Sequence, residues 1–401
     1  MEKRVAYLDR NEYNYGPAPE IGEVLKNFDP NKLCFYTRIY DEGKKSILSD
    51  YISELYGIPE KQVILGYGGE DILKQVVHCF LAGGAKQKTL LIPKFSWWYY
   101  KSIADEVNGR TIFYPLFEEG NTFKYDIQSI RESVEKEKPE MVLMASPNNP
   151  TGNSLTKEEL HEILSFIPRE TVIVIDEAYA SFANKDTSYI KPLIEEFPNL
   201  LIIRTLSKFY GLPGLRLGFA FMGADLSTFL NYSTKYLGYN RITEEIGIAV
   251  FKASDYYQNI ADLMAQDREL YMKELSGLDG FKVYKSDANF ILVKYPIAMK
   301  RLITWTVCLV LLHAAAFADG PAQVDGQSVP EMPKFGGGGP VTFKRWVLRN
   351  LDLSGSLFSE GDEIRGEVSF VVAKNGKLRE LDVSKLGVSA LARRVEKAIA
   401  A

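Results

Sequence analysis

Short apolar segments alternate with amphipathic segments between about residues 30 and 295. The apolar segments have the length of buried strands and read KQVILGYGG, KTLLIPKF, MVLMASP, TVIVIDEAY and LLIIRTLSK. Between them lie amphipathic runs typical of helices, such as EDILKQVVHCFLA and TKEELHEILSFI. Continuous apolar strands that alternate with helices predict an α/β fold, in which a mostly parallel sheet carries helices on both faces. Ligands of such sheets bind beyond the carboxyl ends of the strands.

Residues 299–318, MKRLITWTVCLVLLHAAAFA, interrupt this alternation. Met299 is followed by two basic residues, an apolar run and small residues that end in Ala-Phe-Ala, which is the order found in a secretory signal peptide. A core helix or a marginal membrane span is the alternative. Because a signal peptide functions at an N-terminus, we interpret the chain as two unrelated sequences that meet between Ala298 and Met299, the first without its end.

The remaining residues predict a linker and a second domain. Residues 319–340 are rich in Gly, Pro, Asp and Gln, as linkers are, and residues 341–401 predict a small α+β domain with a hairpin turn at Asn375 and Gly376. The segments VPEMPKFGGGG and EIRGEVSFVVAKNGKLRELDV resemble the C-terminal domain of TonB-type energy transducers. The resemblance implies a module that binds a partner peptide along a sheet edge. The alternative is an exported domain with another role.

Composition and charge narrow the class of protein. The net charge of −4 over 401 residues gives no basic surface for nucleic acid. The three cysteines form no CxxC pair and there are only three histidines, which argues against a disulfide framework and a histidine-based metal centre. The N-terminus lacks the apolar region of a signal peptide, so a cytoplasmic location is predicted for residues 1–298. Residues 299–401 look derived from an exported periplasmic protein.

The segment RTLSKFYGLPGLRLGF, residues 204–219, carries the strongest chemical signal. A Ser-Lys pair, two glycines and an arginine resemble the lysine motif of aminotransferases related to histidinol-phosphate aminotransferase. The resemblance implies PLP fold type I, with Lys208 holding pyridoxal 5′-phosphate (PLP) as a Schiff base. Thr205, Ser207 and Arg216 would bind the cofactor phosphate, since a dianion needs a guanidinium and hydroxyl donors. The alternative is a solvated basic loop.

Two further motifs resemble the same family and occur in its order. In SPNNPTGN, residues 146–153, the resemblance assigns to Asn149 a hydrogen bond to the 3′-oxygen of the cofactor. In VIDEAYASF, residues 174–182, Tyr179 would donate to the same oxygen. Asp176 would keep the pyridine nitrogen protonated, so that the ring can act as an electron sink. A plain Asn-Pro turn is the alternative for the first motif.

Other expected cofactor contacts depend on shorter matches. In GYGGEDIL the backbone amides of Gly69 and Glu70 would hold the phosphate at a helix N-terminus. In PKFSWWYY, Trp98 occupies the place of an aromatic residue, usually tyrosine, that stacks on the cofactor ring. Tyr40 is expected to reach the phosphate of a partner subunit in a homodimer. Trp98 could instead be a core aromatic, and Tyr40 an exposed loop residue.

The start of the chain predicts substrate contacts. LDRNEYNYGP resembles the substrate-side opening of the family, where Asn11 and Tyr15 match and the intervening Asn-Pro is replaced. The resemblance implies transfer of an amino group from an amino acid or an amino-alcohol phosphate to a 2-keto acid, with Lys208 moving the α-proton. The same motifs fit a PLP-dependent decarboxylase or lyase. From a different class, the chain could be an exported binding module with a passenger N-terminal part.

Residues 1–298 are predicted to form three parts. These are an N-terminal arm over residues 1–30, a large domain over about 31–240 and an incomplete small domain over about 241–298. YKSDANFILVKYP, residues 284–296, resembles a strand of the small domain of the family. No later segment resembles the strand whose arginine binds the substrate carboxylate, so we expect transamination to be impaired.

Overall fold

The structure is a computed structural model, and the fold below is that of its described residues. These are 10–12, 15–37, 43–184, 186–233, 239–294, 323–324, 327–328, 369–372 and 378–382. Several predictions lie outside them: Tyr40, the junction between Ala298 and Met299, the signal-like segment, and the helices of the C-terminal domain.

The helices and strands are numbered in chain order. The helices are α1 (Pro19–Asn27), α2 (Ile47–Tyr56), α3 (Gly69–Leu81), α4 (Tyr99–Asp105), α5 (Ile127–Glu137), α6 (Lys157–Phe166), α7 (Ala180–Ala183), α8 (Ile190–Glu196), α9 (Ser227–Ser233), α10 (Arg241–Lys252) and α11 (Ser254–Ser276). The strands are β1 (Val63–Gly66), β2 (Thr89–Pro93), β3 (Arg110–Tyr114), β4 (Leu116–Glu119), β5 (Thr122–Tyr125), β6 (Met141–Ala145), β7 (Val172–Asp176), β8 (Leu200–Thr205), β9 (Gly218–Met222), β10 (Lys282–Val283), β11 (Val293–Lys294), β12 (Gln323–Val324), β13 (Gln327–Ser328), β14 (Ser369–Val372) and β15 (Leu378–Asp382).

Seven strands form the central sheet, in the order β1-β9-β8-β7-β6-β2-β3. Strand β9 runs antiparallel to both of its neighbours, and the other pairings are parallel. The predicted mostly parallel α/β sheet is therefore confirmed, and the five apolar segments contain β1, β2, β6, β7 and β8.

Helices cover both faces of the sheet. Along β7, Ile173 and Ile175 join one core while Val174 joins the other, because successive side chains of a strand point to opposite faces. One core includes Ile163 of α6, and the other includes Val76 of α3. The strands in the middle of the sheet are therefore apolar on both faces except at their carboxyl ends, which explains the long apolar segments of the sequence.

The segment that resembles a family strand over residues 284–296 is mostly not a strand. Within the described residues only Val293–Lys294 is extended, and it pairs with Lys282–Val283. Next to this pair the amide of Tyr284 donates to the Leu292 carbonyl over 3.0 Å, whereas the amide of Asp287 donates to the Gly152 carbonyl over 2.8 Å. Because Asp287 binds the loop after β6 instead of another strand, the middle of the segment packs as a turn against that loop.

The C-terminal region contributes two strand pairs to the described residues. Strand β14 pairs antiparallel with β15, with Val372 opposite Leu378, which confirms the pairing of the predicted hairpin. The connecting residues 373–377 lie outside the described part. Among the helices that the structure describes, none has both the length and the apolar character required to cross a membrane.

Candidate active site

Polar residues of several motifs meet at one edge of the central sheet. Asp176 ends β7, Thr205 ends β8, and the loop that contains Asn149 follows β6. Parallel neighbouring strands bring their carboxyl ends to the same edge, so these residues come together although the sequence separates them.

Lys208 lies in the loop after β8 and is half-buried. Its Nζ donates to the backbone oxygen of Arg10 over 2.7 Å and lies 5.9 Å from the ring centroid of Tyr179. Burial lowers the pKa of Lys208, and the charges of Glu12 and Asp176 oppose this shift. The amine is therefore deprotonated at a lower pH than an ordinary lysine, which favours nucleophilic attack on a carbonyl carbon.

The carboxylate of Asp176 is 6% exposed and hydrogen-bonded through both oxygens. Its Oδ2 accepts from the hydroxyl of Tyr100 over 2.7 Å, and its Oδ1 accepts from the amide of Ala178 over 3.0 Å. Burial raises the pKa of Asp176, whereas these two donors lower it. A carboxylate held in this way is suited to bind a cation at the edge of the sheet.

Tyr179 is held by the N-terminal segment. The side-chain amide of Asn11 donates to the Tyr179 hydroxyl oxygen over 2.8 Å, and Asn289 donates to the backbone oxygen of Asn11 over 3.1 Å. Burial raises the pKa of Tyr179, so its phenol keeps its proton. Because the oxygen already accepts from Asn11, its hydrogen is available to donate to another acceptor.

The glycine-rich turn lies at the N-terminus of α3. Gly68 has a φ of +87°, a conformation that favours glycine, and Gly69 begins the helix. A Cβ on Gly218 would overlap the backbone of Gly68 and Gly69, so only glycine allows β9 to lie against this turn. The lysine motif did not identify Gly218 as a required residue. Amide groups at a helix N-terminus are a site for an anion.

The three predicted side-chain donors for the phosphate lie around this turn. Thr205 donates to the Ser207 hydroxyl over 2.9 Å, and Arg216 donates to the backbone oxygen of Tyr67 over 3.2 Å. The guanidinium of Arg216 also lies 3.6 Å from the carboxylate of Glu70, with both side chains about half exposed. An exposed ion pair of this kind contributes little, about 0–1 kcal/mol, so a phosphate could displace the carboxylate at small cost.

The loop with Asn149 is fixed by its neighbours. Asn148 is fully buried and donates to the backbone oxygen of Phe95 over 2.7 Å, and the amide of Asp287 donates to Gly152. Asn149 is half-buried, and its side chain makes no hydrogen bond to another described residue. Its amide is thus available to a ligand, while Asn148, to which the motif assigned no role, anchors the loop.

For two of the predicted contact residues, Trp98 and Tyr15, the described structure does not show a position in the cofactor site. Trp98 is 71% exposed, and its ring contacts are with Trp97 and Tyr99, so the described residues do not enclose it. The Tyr15 hydroxyl donates to Asp267 of α11 over 3.3 Å, which ties the N-terminal segment to that helix. The roles predicted for Trp98 and Tyr15 stay predictions, as does that of Tyr40.

A buried ion pair lies behind the site, and the sequence motifs did not predict it. Two nitrogens of the Arg204 guanidinium each lie 2.8 Å from one oxygen of Glu177, and the Tyr189 hydroxyl donates to the other oxygen over 2.6 Å. Glu177 and Arg204 are both 5% exposed. The pair links the ends of β7 and β8, next to Asp176 and Thr205. A charged residue within an apolar strand is the signal that could have revealed it.

The residues at this edge fit PLP. That molecule has an aldehyde, a ring hydroxyl, a ring nitrogen and a phosphate. Lys208 offers an amine, Tyr179 a hydroxyl donor and Asp176 a buried carboxylate, while the N-terminus of α3 and Arg216 offer donors for an anion. Each polar group of the cofactor therefore has a complementary group in the chain.

Comparisons with known proteins agree with this geometry. The sequence model of the family described as aminotransferase class I and II matches residues 3–309. The histidinol-phosphate aminotransferase of Ruminiclostridium cellulolyticum is 29% identical over 321 residues, which are 79% of this chain and 86% of that protein. Histidinol-phosphate aminotransferase 2 of Archaeoglobus fulgidus is 30% identical over 293 residues, or 73% and 79% of the two chains.

Solved structures show the same fold. The histidinol-phosphate aminotransferase from Sinorhizobium meliloti in complex with pyridoxal-5′-phosphate has a TM-score of 0.64 at 21% identity, covering 73% of this chain and 76% of its own. The L-threonine-O-3-phosphate decarboxylase from Porphyromonas gingivalis has a TM-score of 0.60 at 18% identity, covering 73% and 82%. The chain belongs to the class I and II aminotransferases, PLP-dependent transferases of fold type I, and is similar to histidinol-phosphate aminotransferases.

Proposed function

We propose that the chain transfers an amino group from an amino-alcohol phosphate of the histidinol-phosphate type to a 2-keto acid. One observation carries this proposal: Lys208, Asp176 and Tyr179 meet at one sheet edge in a chain whose relatives are named histidinol-phosphate aminotransferases. The amino donor is taken from the names of those relatives.

In the proposed transamination each side chain of the site has a separate role. PLP, when bound, supplies a ring that withdraws electrons from the α-carbon of the substrate. Lys208 would bind the cofactor aldehyde, and its Nζ would move the α-proton of the substrate. Asp176 would keep a proton on the ring nitrogen, and Tyr179 would donate to the ring oxygen. The glycine-rich turn, Thr205, Ser207 and Arg216 would hold the phosphate.

We further propose that the functional unit is a homodimer. Phe35 and Tyr36 are 74% and 70% exposed in the described residues, shortly before Tyr40 in the chain. Large exposed apolar side chains favour burial against another subunit. In this proposal Tyr40 reaches the phosphate of the partner subunit.

A substrate comparison tests the reaction. Histidinol phosphate with a 2-keto acid should yield a new amino acid from the keto acid, whereas O-phosphothreonine should release little carbon dioxide. We expect a difference in kcat/KM of at least about 100-fold, because buried polar groups left unpaired by the wrong substrate are costly. Release of carbon dioxide without any need for a keto acid would support the decarboxylase instead.

The turnover should be low although the cofactor binds. Arg345, Arg349 and Arg365 follow the signal-like segment in a context unlike the arginine-containing strand of the family. We therefore propose that residues 299–401 do not supply the arginine that binds the acidic group of the substrate. We expect the chain to bind PLP to saturation and to show a raised KM for the amino donor.

Residues 299–401 are proposed to derive from an exported periplasmic protein with a TonB-like peptide-binding domain, and residues 1–298 to be cytoplasmic. The order of basic, apolar and small residues in 299–318 supports this, although the family match continues to residue 309. N-terminal sequencing of periplasmic fractions tests export. A fragment that begins at Asp319 is expected if the segment is processed, and its absence beside intact cytosolic chain would contradict export.

A further inference from the structure

The hydroxyl of Tyr100 lies against the buried carboxylate of the site. Tyr100 is on α4, is 2% exposed, and donates to Asp176 Oδ2 over 2.7 Å. Tyr100 ends the segment PKFSWWYY, in which only Trp98 was assigned a contact with the cofactor. It joins a helix on one face of the sheet to the end of β7.

Two donors fix the orientation of the Asp176 carboxylate. The hydroxyl of Tyr100 binds Oδ2, and the amide of Ala178 binds Oδ1 over 3.0 Å. A carboxylate can accept about four hydrogen bonds, so lone pairs remain for a further donor. The Ala178 amide belongs to the same turn as Asp176, whereas Tyr100 is the partner contributed by a distant element.

Packing holds Tyr100 in place. Ile103 and Ala104 of the same helix are fully buried, and the ring of Tyr100 makes an edge contact with Trp97 at 5.8 Å between centroids. Burial also raises the pKa of Tyr100 well above its ordinary value, so the hydroxyl remains a donor. A buried side chain on a packed helix holds its functional group in a fixed position.

The charges around Asp176 oppose one another. Burial raises its pKa most, and the negative charge of Glu177 adds to this, while the Tyr100 and Ala178 donors and the positive charge of Lys208 lower it. Tyr125 and Tyr179 are also nearby and stay protonated because burial raises their pKa. Among the side chains, Tyr100 provides the donor that favours the ionised carboxylate most directly.

We propose that Tyr100 is a positioning residue, whose hydroxyl holds Asp176 ionised and aimed at the ring nitrogen of the cofactor. The proposal rests on the proposed use of Asp176 against that nitrogen and not on the identity of the amino donor. Without the hydroxyl, the proton shared between Asp176 and the nitrogen shifts toward the carboxylate. The ring then carries less positive charge and withdraws electrons less strongly.

The full chain with Tyr100→Phe tests this, with Tyr125→Phe as the matched control. Tyr125 is equally buried and loses a comparable hydrogen bond, since its hydroxyl donates to the Ala145 backbone oxygen over 2.6 Å. With PLP labelled by ¹⁵N at the ring nitrogen, the NMR signal of the wild type should be that of a protonated ring. We expect it to move toward the neutral form in Tyr100→Phe alone, with PLP affinity reduced roughly 10-fold.

A double substitution separates positioning from packing. In an Asp176→Asn background Tyr100→Phe should change PLP affinity by less than about 2-fold, because the carboxylate charge that the hydroxyl stabilises is already absent. Equal ¹⁵N signals in Tyr100→Phe and Tyr125→Phe would overturn the proposal, as would a loss of stability with an unchanged signal. A wild-type signal of a neutral ring would instead contradict the proposed role of Asp176 itself.

A second variant keeps the test decisive if Tyr100→Phe does not fold. Replacement of Tyr100 with 3-fluorotyrosine keeps the ring shape and makes the hydroxyl a stronger donor. The ¹⁵N signal should then stay at or move further toward the protonated form, and PLP affinity should not fall. A shift toward the neutral form would overturn the proposal.

Discussion

Lys208→Ala should abolish transamination, with kcat/KM reduced by at least roughly 10⁴-fold. In the proposed function the substitution removes both the amine that would bind the cofactor aldehyde and the base that would move the α-proton. Purified protein should also lose the visible absorbance band of bound cofactor. Steady-state kinetics and an absorbance scan at saturating PLP measure both effects.

Lys191→Ala is the control for this experiment. Lys191 lies on α8, is about half exposed, and its Nζ is 3.9 Å from the Glu195 carboxylate. Its removal should leave both the rate and the absorbance band unchanged. Lys208→Ala protein that keeps the band, or that retains more than a few per cent of activity, would show that another residue binds the cofactor.

Glu177→Ala should lower the free energy of unfolding by about 3–5 kcal/mol, because it leaves the buried guanidinium of Arg204 without its carboxylate. Both residues are 5% exposed, so water cannot replace the lost partner. The pair joins β7 to β8 next to Asp176 and Thr205. Chemical denaturation of the purified protein measures the loss.

Two further variants test whether the unpaired buried charge causes the loss of stability in Glu177→Ala. Glu195→Ala removes an exposed carboxylate and should cost less than about 1 kcal/mol. Replacing both Glu177 and Arg204 with methionine removes the two charges together and should cost clearly less than Glu177→Ala. If Glu177→Ala were as mild as Glu195→Ala, the pair would not contribute to stability as its burial indicates.

Periodicity predicted most of the sheet. Strands β2, β6, β7 and β8 are covered on both faces, so each contains a run of apolar residues that is visible in the sequence. Strand β3 was not predicted because it lies at the edge of the sheet and has exposed positions. Strand β9, GFAFM, was not predicted because it directly follows the lysine motif, and its antiparallel direction depends on pairing with two distant strands.

Motif order predicted which polar residues gather at the site, and the structure brings Lys208, Asp176 and Tyr179 to one edge. It could not predict their supporting contacts. Asn11 binds Tyr179 from a segment 168 residues away, and Tyr100 binds Asp176 from 76 residues away. Neither contact has a local sequence signal, because each depends on how separate elements pack.

The sequence by itself determined the α/β class through the local spacing of apolar residues, and the cofactor chemistry through the resemblance of the lysine motif to a known family. The tertiary structure alone decided which groups surround them. The donor to Asp176, the buried partner of Arg204 and the requirement for glycine at 218 all arise where elements distant in sequence come within a few ångströms. At that range burial raises or lowers a pKa, and the space left by a neighbouring backbone decides which side chain fits.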